Sequence, residues 1–406
     1  MPHLTPSLLL LPPPPAPATA EAFSAAYRPT IEAVVSKLKT LPTSTELLIV
    51  LPCPSIQGHL SEPRSEIYDD VQHLLGQLYS LFCVVCAKLE VDVESDTPGS
   101  IDARVILLDE KGEHPSIEYG SRKSGPEAAG PIIDLFSLAL TRRSWNFIFS
   151  VDGEQGQGFL ANFVKSANQM RPPLQGQMQS VSGGTSMVHQ ASSRIQSLSR
   201  SGKRHHVVAV GGTFDHIHAG HKLLLTATAL LLQPSPHPRR LIVGITGDEL
   251  LKNKKYSQFL GSWKQRQEDV VNFLLSILLF TTASVEESIH VTTTDFPVPN
   301  GKAVHTALQG YGLTLECYEI QDPFGPTITD PDITALVVSG ETRSGGQAVN
   351  QKRSEKGWNA LEVFEIDVLD AQDVDSDPSQ TGDFASKISS SAIRKRMAEN
   401  ARTSSL

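Results

Sequence analysis

The chain has 406 residues, 39% of them hydrophobic and 19% charged, enough for two domains with separate cores. Its 35 Lys and Arg against 44 Asp and Glu leave a net charge of −9, which excludes binding of nucleic acid or an anionic membrane through the overall field. Four cysteines in this length make no disulfide framework and, lacking paired Cys or His partners, no zinc site, so a reducing compartment fits.

The first residues, MPHLTPSLLLLPPPPAPATAEAF, hold a four-leucine run with no Lys or Arg before it and four prolines directly after. That is a poor secretory signal and too short to span a bilayer. No run of 18 apolar residues follows, so the expected location is cytoplasmic, with the nucleus open as a second.

Strand-like runs come at 46–53, 81–93, 103–110 and 145–151, with helical patterns at 67–81, 132–143 and 158–168. Such alternation predicts an N-terminal α/β domain over residues 1–165. Cys83 and Cys86 form a CxxC, but inside the apolar run LFCVVCAKLEV, which reads as a buried strand rather than a redox turn. In SVDGEQGQG the acidic pair reads as a helix cap. This half shows no motif with chemistry, and its role is open. Residues 166–204, rich in Ser, Gln and Gly and without sustained period, are expected to be a disordered linker.

Over residues 205–406 strands are expected at 206–211, 241–246, 289–294, 313–320, 335–339 and 361–367, and helices at about 220–233, 264–280, 345–357 and 389–400. Runs such as HVVAVGG and TALVVSG lack in/out alternation, as strands covered on both faces do. The pattern predicts a Rossmann-like, doubly wound, open parallel sheet that binds ligands at the carboxyl ends of its strands.

At that edge lies VVAVGGTFDHIHAGHKLLL, residues 207–225, with three histidines in six positions. Gly211 and Gly212 permit a sharp turn and close approach to a ligand, and Gly220 again removes bulk. Thr213 and Asp215 offer oxygens near a helix start, and His218 and His221, three apart, share one helix face. With the unpaired N–H groups of the helix start they form a donor cluster suited to phosphate. A metal site is the alternative, because HIH at a strand end opens the metal site of amidohydrolase barrels. That fold takes about 250 residues and further ligands on later strands, whereas only about 200 follow here and His237, His290 and His305 fit no strand-end series. The remaining alternative is plain solvation of a helix start.

The stretch GGTFDHIHAGH resembles the motif of the HxGH nucleotidyltransferase superfamily, with His218, Ala219, Gly220 and His221 as the HxGH. Residues 205 to about 400 resemble the eukaryotic, fungal-type monofunctional phosphopantetheine adenylyltransferases, through GDELLKNKK (247–255), LVVSGETRSGGQAVNQKR (336–353) and KISSSAIRKRM (387–397). The resemblance implies transfer of AMP from ATP to 4′-phosphopantetheine in coenzyme A synthesis. It implies His221 as main donor to the transferring phosphate, His218 as a nucleotide-phosphate contact, Thr213 as a bridge to both substrates, and Lys252 or Lys254 as neutraliser of the acceptor phosphate. Gly212, Asp215 and Gly220, in the histidine turn, would be substrate contacts as well. Ser389, Ser390 and Ser391 would hold the outer phosphates, Glu341, Thr342 and Arg343 would lie near the adenosine pocket, and Asn350 and Arg353 would reach substrate phosphate.

Magnesium is expected with the ATP phosphates and no dedicated protein metal site. His216 is expected to be dispensable and Lys222 to be solvated. No GxxxxGK[ST] occurs, and the chain ends soon after the serine run, so a fused dephospho-coenzyme A kinase is not expected. Association with other enzymes of the pathway is a further expectation. Two rivals stand: another HxGH enzyme, a cytidylyltransferase or nicotinamide mononucleotide adenylyltransferase, and a non-catalytic scaffold of the pathway.

Overall fold

The computed structural model describes residues 5–57, 62–93, 97–109, 129–141, 143–169, 174–185, 202–281, 283–367, 369 and 389–403. They form two compact units: Met1–Ile67, Gln77–Gly202 and Ile277–Val285 in the first, and Tyr68–Gly76, Lys203–Ser276 and Glu286–Leu406 in the second. None of the described helices is long and apolar enough to cross a membrane.

The first unit holds a six-stranded sheet in which every pairing is parallel. Its strands are β1 (Ser7–Leu10), β2 (Thr45–Pro52), β3 (Ile101–Asp109), β4 (Ile132–Asp134), β5 (Phe147–Val151) and β6 (Gln177–Val181), in the order β4-β3-β2-β1-β5-β6. The helices are α1 (Ala20–Leu38), α2 (Arg64–Lys88), whose residues Tyr68–Gly76 count with the second unit, α3 (Leu135–Leu140) and α4 (Glu154–Ala167).

Several expectations change here. The four-leucine run is the strand β1, near the middle of the sheet and buried at every leucine from Leu8 to Leu11. Residues 81–88 are not strand but the last turns of α2. Leu81, Phe82, Cys83, Val84, Val85 and Cys86 are all buried, and a helix covered on every side shows the same unbroken apolar run as a central strand. The helix expected over 132–143 splits into β4 and α3, joined by Asp134, whose carboxylate accepts from Ser137 N at 2.8 Å as an N-cap. Strand β6 falls inside the segment expected as linker. Its polar QMQSV sequence pairs only with β5 and buries only Val181, so it carries no apolar pattern to find. Residues 186–201 of that segment lie outside the described residues.

The second unit holds a seven-stranded sheet in the order β13-β12-β7-β8-β11-β10-β9. Its elements are β7 (Val207–Gly212), α5 (Ala219–Leu230), β8 (Arg239–Thr246), α6 (Trp263–Leu278), the short α7 (Val285–Ser288), β9 (Ile289–Asp295), β10 (Lys302–Leu308), β11 (Leu313–Ile320), β12 (Ala335–Ser339), α8 (Arg343–Glu355), β13 (Glu362–Ile366) and α9 (Ser390–Thr403). The expected parallel α/β sheet stands, with one addition. Strand β10, which follows the Pro-rich turn FPVPNG, runs antiparallel to both of its neighbours.

The core against this sheet is built from Ala209, Ile242, Leu336, Val338, Val349 and Leu361, all buried. Each branched aliphatic there contributes about 1.5–3 kcal/mol by leaving water. Strand β7 passes to β8 on one side and is flanked on the other by β12. That reversal of winding opens a crevice at the carboxyl ends of β7 and β12.

Candidate active site

A cleft of about 1050 Å³ occupies that crevice, walled by the ends of β7, β8, β11 and β12 and the start of α9. Beyond β7 the chain turns through Phe214 and His216, both left-handed at φ 51° and 47°. Two such non-glycine residues cost of order 1–3 kcal/mol each and persist only where neighbours fix them. Phe214 is fully buried, its ring 5.3 Å from that of His221, and His216 Nε2 lies 2.8 Å from the Phe259 carbonyl oxygen.

The turn delivers His218 as the N-cap of α5 and His221 one turn in, and both side chains line the cleft. Their rings stack with centroids 3.9 Å apart and planes 26° from parallel. Nδ1 of each is buried without a hydrogen-bond partner in the chain. Gly220 leaves the stack room, because a Cβ there would stand 3.2 Å from His218 Cε1 and the ring would have to shift slightly. Burial pushes His221 down to about 4, against the opposing pull of the Asp215 carboxylate and a hydrogen bond to the backbone of His216. Burial likewise pushes His218 well down, and His221 and Lys222 push it the same way. Both rings are therefore neutral near pH 7. An anion arriving at this pair would favour protonation of a ring nitrogen and gain a donor.

Thr213, Gly212, Gly220, Lys254, Glu341, Thr342 and Ser389–Ser391 also line the cleft. The Thr342 hydroxyl accepts from Ser339 N at 3.0 Å, closing the turn that carries Glu341. Ser389 caps α9, its hydroxyl accepting from Ala392 N at 3.3 Å.

Other candidates are placed elsewhere. Lys252 pairs with Glu249 on the surface, leaving Lys254 as the lysine of that pair in the cleft wall. Arg343 is exposed and grips Glu365 through two bonds of 2.6 Å. Asn350 exchanges bonds with the backbone of Leu361 at 3.0 and 2.8 Å. Arg353 is completely buried and donates to the carbonyls of Asn359, Thr327, Asp330, Pro331 and Ile333 at 2.7–3.2 Å. Asn350 and Arg353 thus hold the chain together rather than a ligand, by bonding backbone groups of the loops around residues 327–333 and 359–361. Lys222 is buried, not solvated, since α5 is covered from Lys222 through Leu230. Asp215 is fully buried and its carboxylate is taken up by Arg394 and by Gly261 N.

Two arginines that fix the cleft walls carry little sequence signal. Arg266, in the polar-looking SWKQRQEDVV, is buried and donates to the carbonyls of Thr213, Thr246 and Gly261 and to Asp248 at 2.7–2.9 Å, so it fixes the turn after β7 to the end of β8. Arg394 lies within the serine motif, one helical turn past Ser390, which is the only hint that it faces the site. The segment 321–324 after β11 also forms cleft wall and is held by Asp322, which accepts from Phe324 N and Gly325 N at 2.7 and 2.8 Å.

Residues 209–396 match a family model described as cytidylyltransferase-like, and residues 1–187 match one described as a domain of unknown function, DUF8446. Fold, histidine turn and match together define the second unit as a nucleotidyltransferase domain. The chain is 38% identical over 194 residues to an uncharacterised protein of Schizosaccharomyces pombe, covering 48% of each. It is 33% identical over 202 residues to the phosphopantetheine adenylyltransferase of Saccharomyces cerevisiae, covering 50% of this chain and 52% of the relative. It is 30% identical over 192 residues to the phosphopantetheine adenylyltransferase of Pyrococcus horikoshii, covering 47% of this chain and 90% of the relative. The chain belongs to the phosphopantetheine adenylyltransferase family. It spans about half the length of the two fungal relatives.

Proposed function

We propose that residues 205–406 transfer AMP from ATP to the phosphate of 4′-phosphopantetheine, giving dephospho-coenzyme A and pyrophosphate. The observation that carries this reading is the stacked His218–His221 pair, each ring with an unpartnered Nδ1, lining one cleft with Ser389–Ser391. The acceptor phosphate is already an anionic nucleophile, so the site needs no general base. Its task is to align two anions and stabilise charge on the α-phosphoryl group as it moves in line from pyrophosphate to acceptor. His221 and His218 donate to the transferring and leaving phosphates, Lys254 offsets charge on the acceptor, and the α9 start holds the outer phosphates. A rate enhancement of about 10⁶ needs roughly 8 kcal/mol of differential stabilisation, within reach of several donors that each contribute about 10²–10³.

Among the described residues no three His, Cys, Asp or Glu side chains converge on a metal-sized space. Magnesium would come with the triphosphate, where it would neutralise phosphate charge. The test is an acceptor screen: purified full-length chain with 4′-phosphopantetheine, phosphocholine or nicotinamide mononucleotide, each with ATP or CTP, and pyrophosphate measured. Release is expected with ATP and 4′-phosphopantetheine. Activity with phosphocholine and CTP alone would replace the reading, and a folded but inert chain would favour a scaffold.

A further inference from the structure

Asp215 and Arg394 are buried together beside the cleft, 0% and 3% exposed. Arg394 Nη1 donates to Asp215 Oδ2, Nη2 to the Ser391 hydroxyl at 3.2 Å and Nε to the Lys255 carbonyl at 3.2 Å. Ser390 Oγ adds a bond to the Asp215 carbonyl at 2.8 Å, and Gly261 N donates to the second carboxylate oxygen at 3.1 Å. One guanidinium thus ties the serine end of α9, on which it sits, to the lysine loop and the histidine turn, 139 and 179 residues away.

A buried ion pair recovers little net stability against an apolar pair of equal volume, because both charges lose their water. Kept between two walls of one site, it serves geometry instead. We propose that Arg394, seated on Asp215, is the positioning residue that sets the span between the histidine turn and Ser389–Ser391, and so the length of polyphosphate the cleft accepts. The inference rests on the nucleotidyl-transfer reading of the cleft. It also gives Asp215 a different part from the substrate contact that the sequence resemblance implied. The carboxylate is already filled by the chain, and its negative charge would repel phosphate were it open.

The fork of the guanidinium is what the position requires. A lysine would keep the charge on Asp215 but cannot reach Ser391 and Lys255 along fixed in-plane directions as well. Arg394→Lys in the full chain is therefore the first variant and Asp215→Asn the second. Affinity for a non-hydrolysable ATP analogue is measured by calorimetry, together with thermal unfolding and the KM for each substrate. The expected result for Arg394→Lys is a melting temperature within a few degrees of wild type, a loss of analogue affinity of about tenfold or more, and a raised KM for ATP with that for 4′-phosphopantetheine unchanged. Asp215→Asn should shift ATP affinity in the same direction. A folded Arg394→Lys with wild-type affinity and KM overturns the inference, as do equal losses for both substrates or collapse of both variants, which would make the pair merely structural. A wild type that binds no analogue defeats the functional reading too, whereas a binding wild type with an unchanged variant defeats the positioning role alone.

Discussion

Two α/β sheets in one chain carry ion pairs at different ends of their strands. In the first unit Arg104 is held by Glu46 and Asp102 at 2.9 Å each, near the amino ends of β2 and β3. The second unit has a pair of that kind, Arg240 with Glu316 and Asp330 at 2.7 Å, and then another, Asp215 with Arg394, beyond the carboxyl end of β7. An amino-end pair locks strands that backbone bonds already hold in register. A carboxyl-end pair locks loops, which have no ladder of their own. In the second unit the loop-fixing pair lies at the cleft, a placement that the sheet architecture alone does not dictate.

That contrast can be broken most forcefully at Arg104. Replacing it by Ala removes its hydrogen bonds to two partly exposed carboxylates and should cost about 1.5–3 kcal/mol, read from denaturant midpoints, while turnover per folded molecule stays unchanged. A turnover loss equal to that of a site variant would erase the distinction between the two ends.

Acid offers a second probe, of similar size. His221 titrates at about 4 in the folded chain and near 6.5 unfolded, so the unfolded state binds more protons between those values. Its contribution is complete above pH 6.5 and is lost as pH falls toward 4, about 3 kcal/mol in all. His218 adds in the same direction. Denaturant midpoints at pH 7.5 and 4.5 should differ less in His221→Asn than in wild type.

His221→Ala should lower turnover by about 10²-fold or more without unfolding the chain, whereas Asp152→Ala, in the first unit after β5, should leave it unchanged. Equal rates for the two variants would remove His221 from the reaction. The smallest effect is expected at Arg343. Its partnership with Glu365 is on the surface, so Arg343→Gln should change ATP turnover by less than about twofold, and a large loss would show that the arginine leaves Glu365 for the nucleotide.

Much of the second unit was legible because its strands alternate with amphipathic helices and its turn residues are chemically distinctive. GGTFDHIHAGH supplies residues that line the cleft, and β7, β8, β11, β12 and β13 lie within a residue or two of the expected strands. Residues with two uses were harder to read. Arg353 and Asn350 have the polarity of phosphate ligands, yet the chain spends them on its own carbonyls. The periodicity of 81–88 and the polarity of β6 likewise gave the wrong element, since one is hidden by burial on all sides and the other by exposure at an edge.

The sequence by itself determined the α/β class of both halves, the turn that carries His218 and His221, and the family, because these depend on local pattern and on residue types that few other contexts require. Only the tertiary structure decided that the two imidazoles stack as a neutral pair, that Arg394 reaches Asp215 across 179 positions, and that Arg343, Asn350 and Arg353 turn away from the cleft. Those outcomes depend on which distant backbone or side-chain partner comes within about 3 Å, and no local pattern encodes that distance.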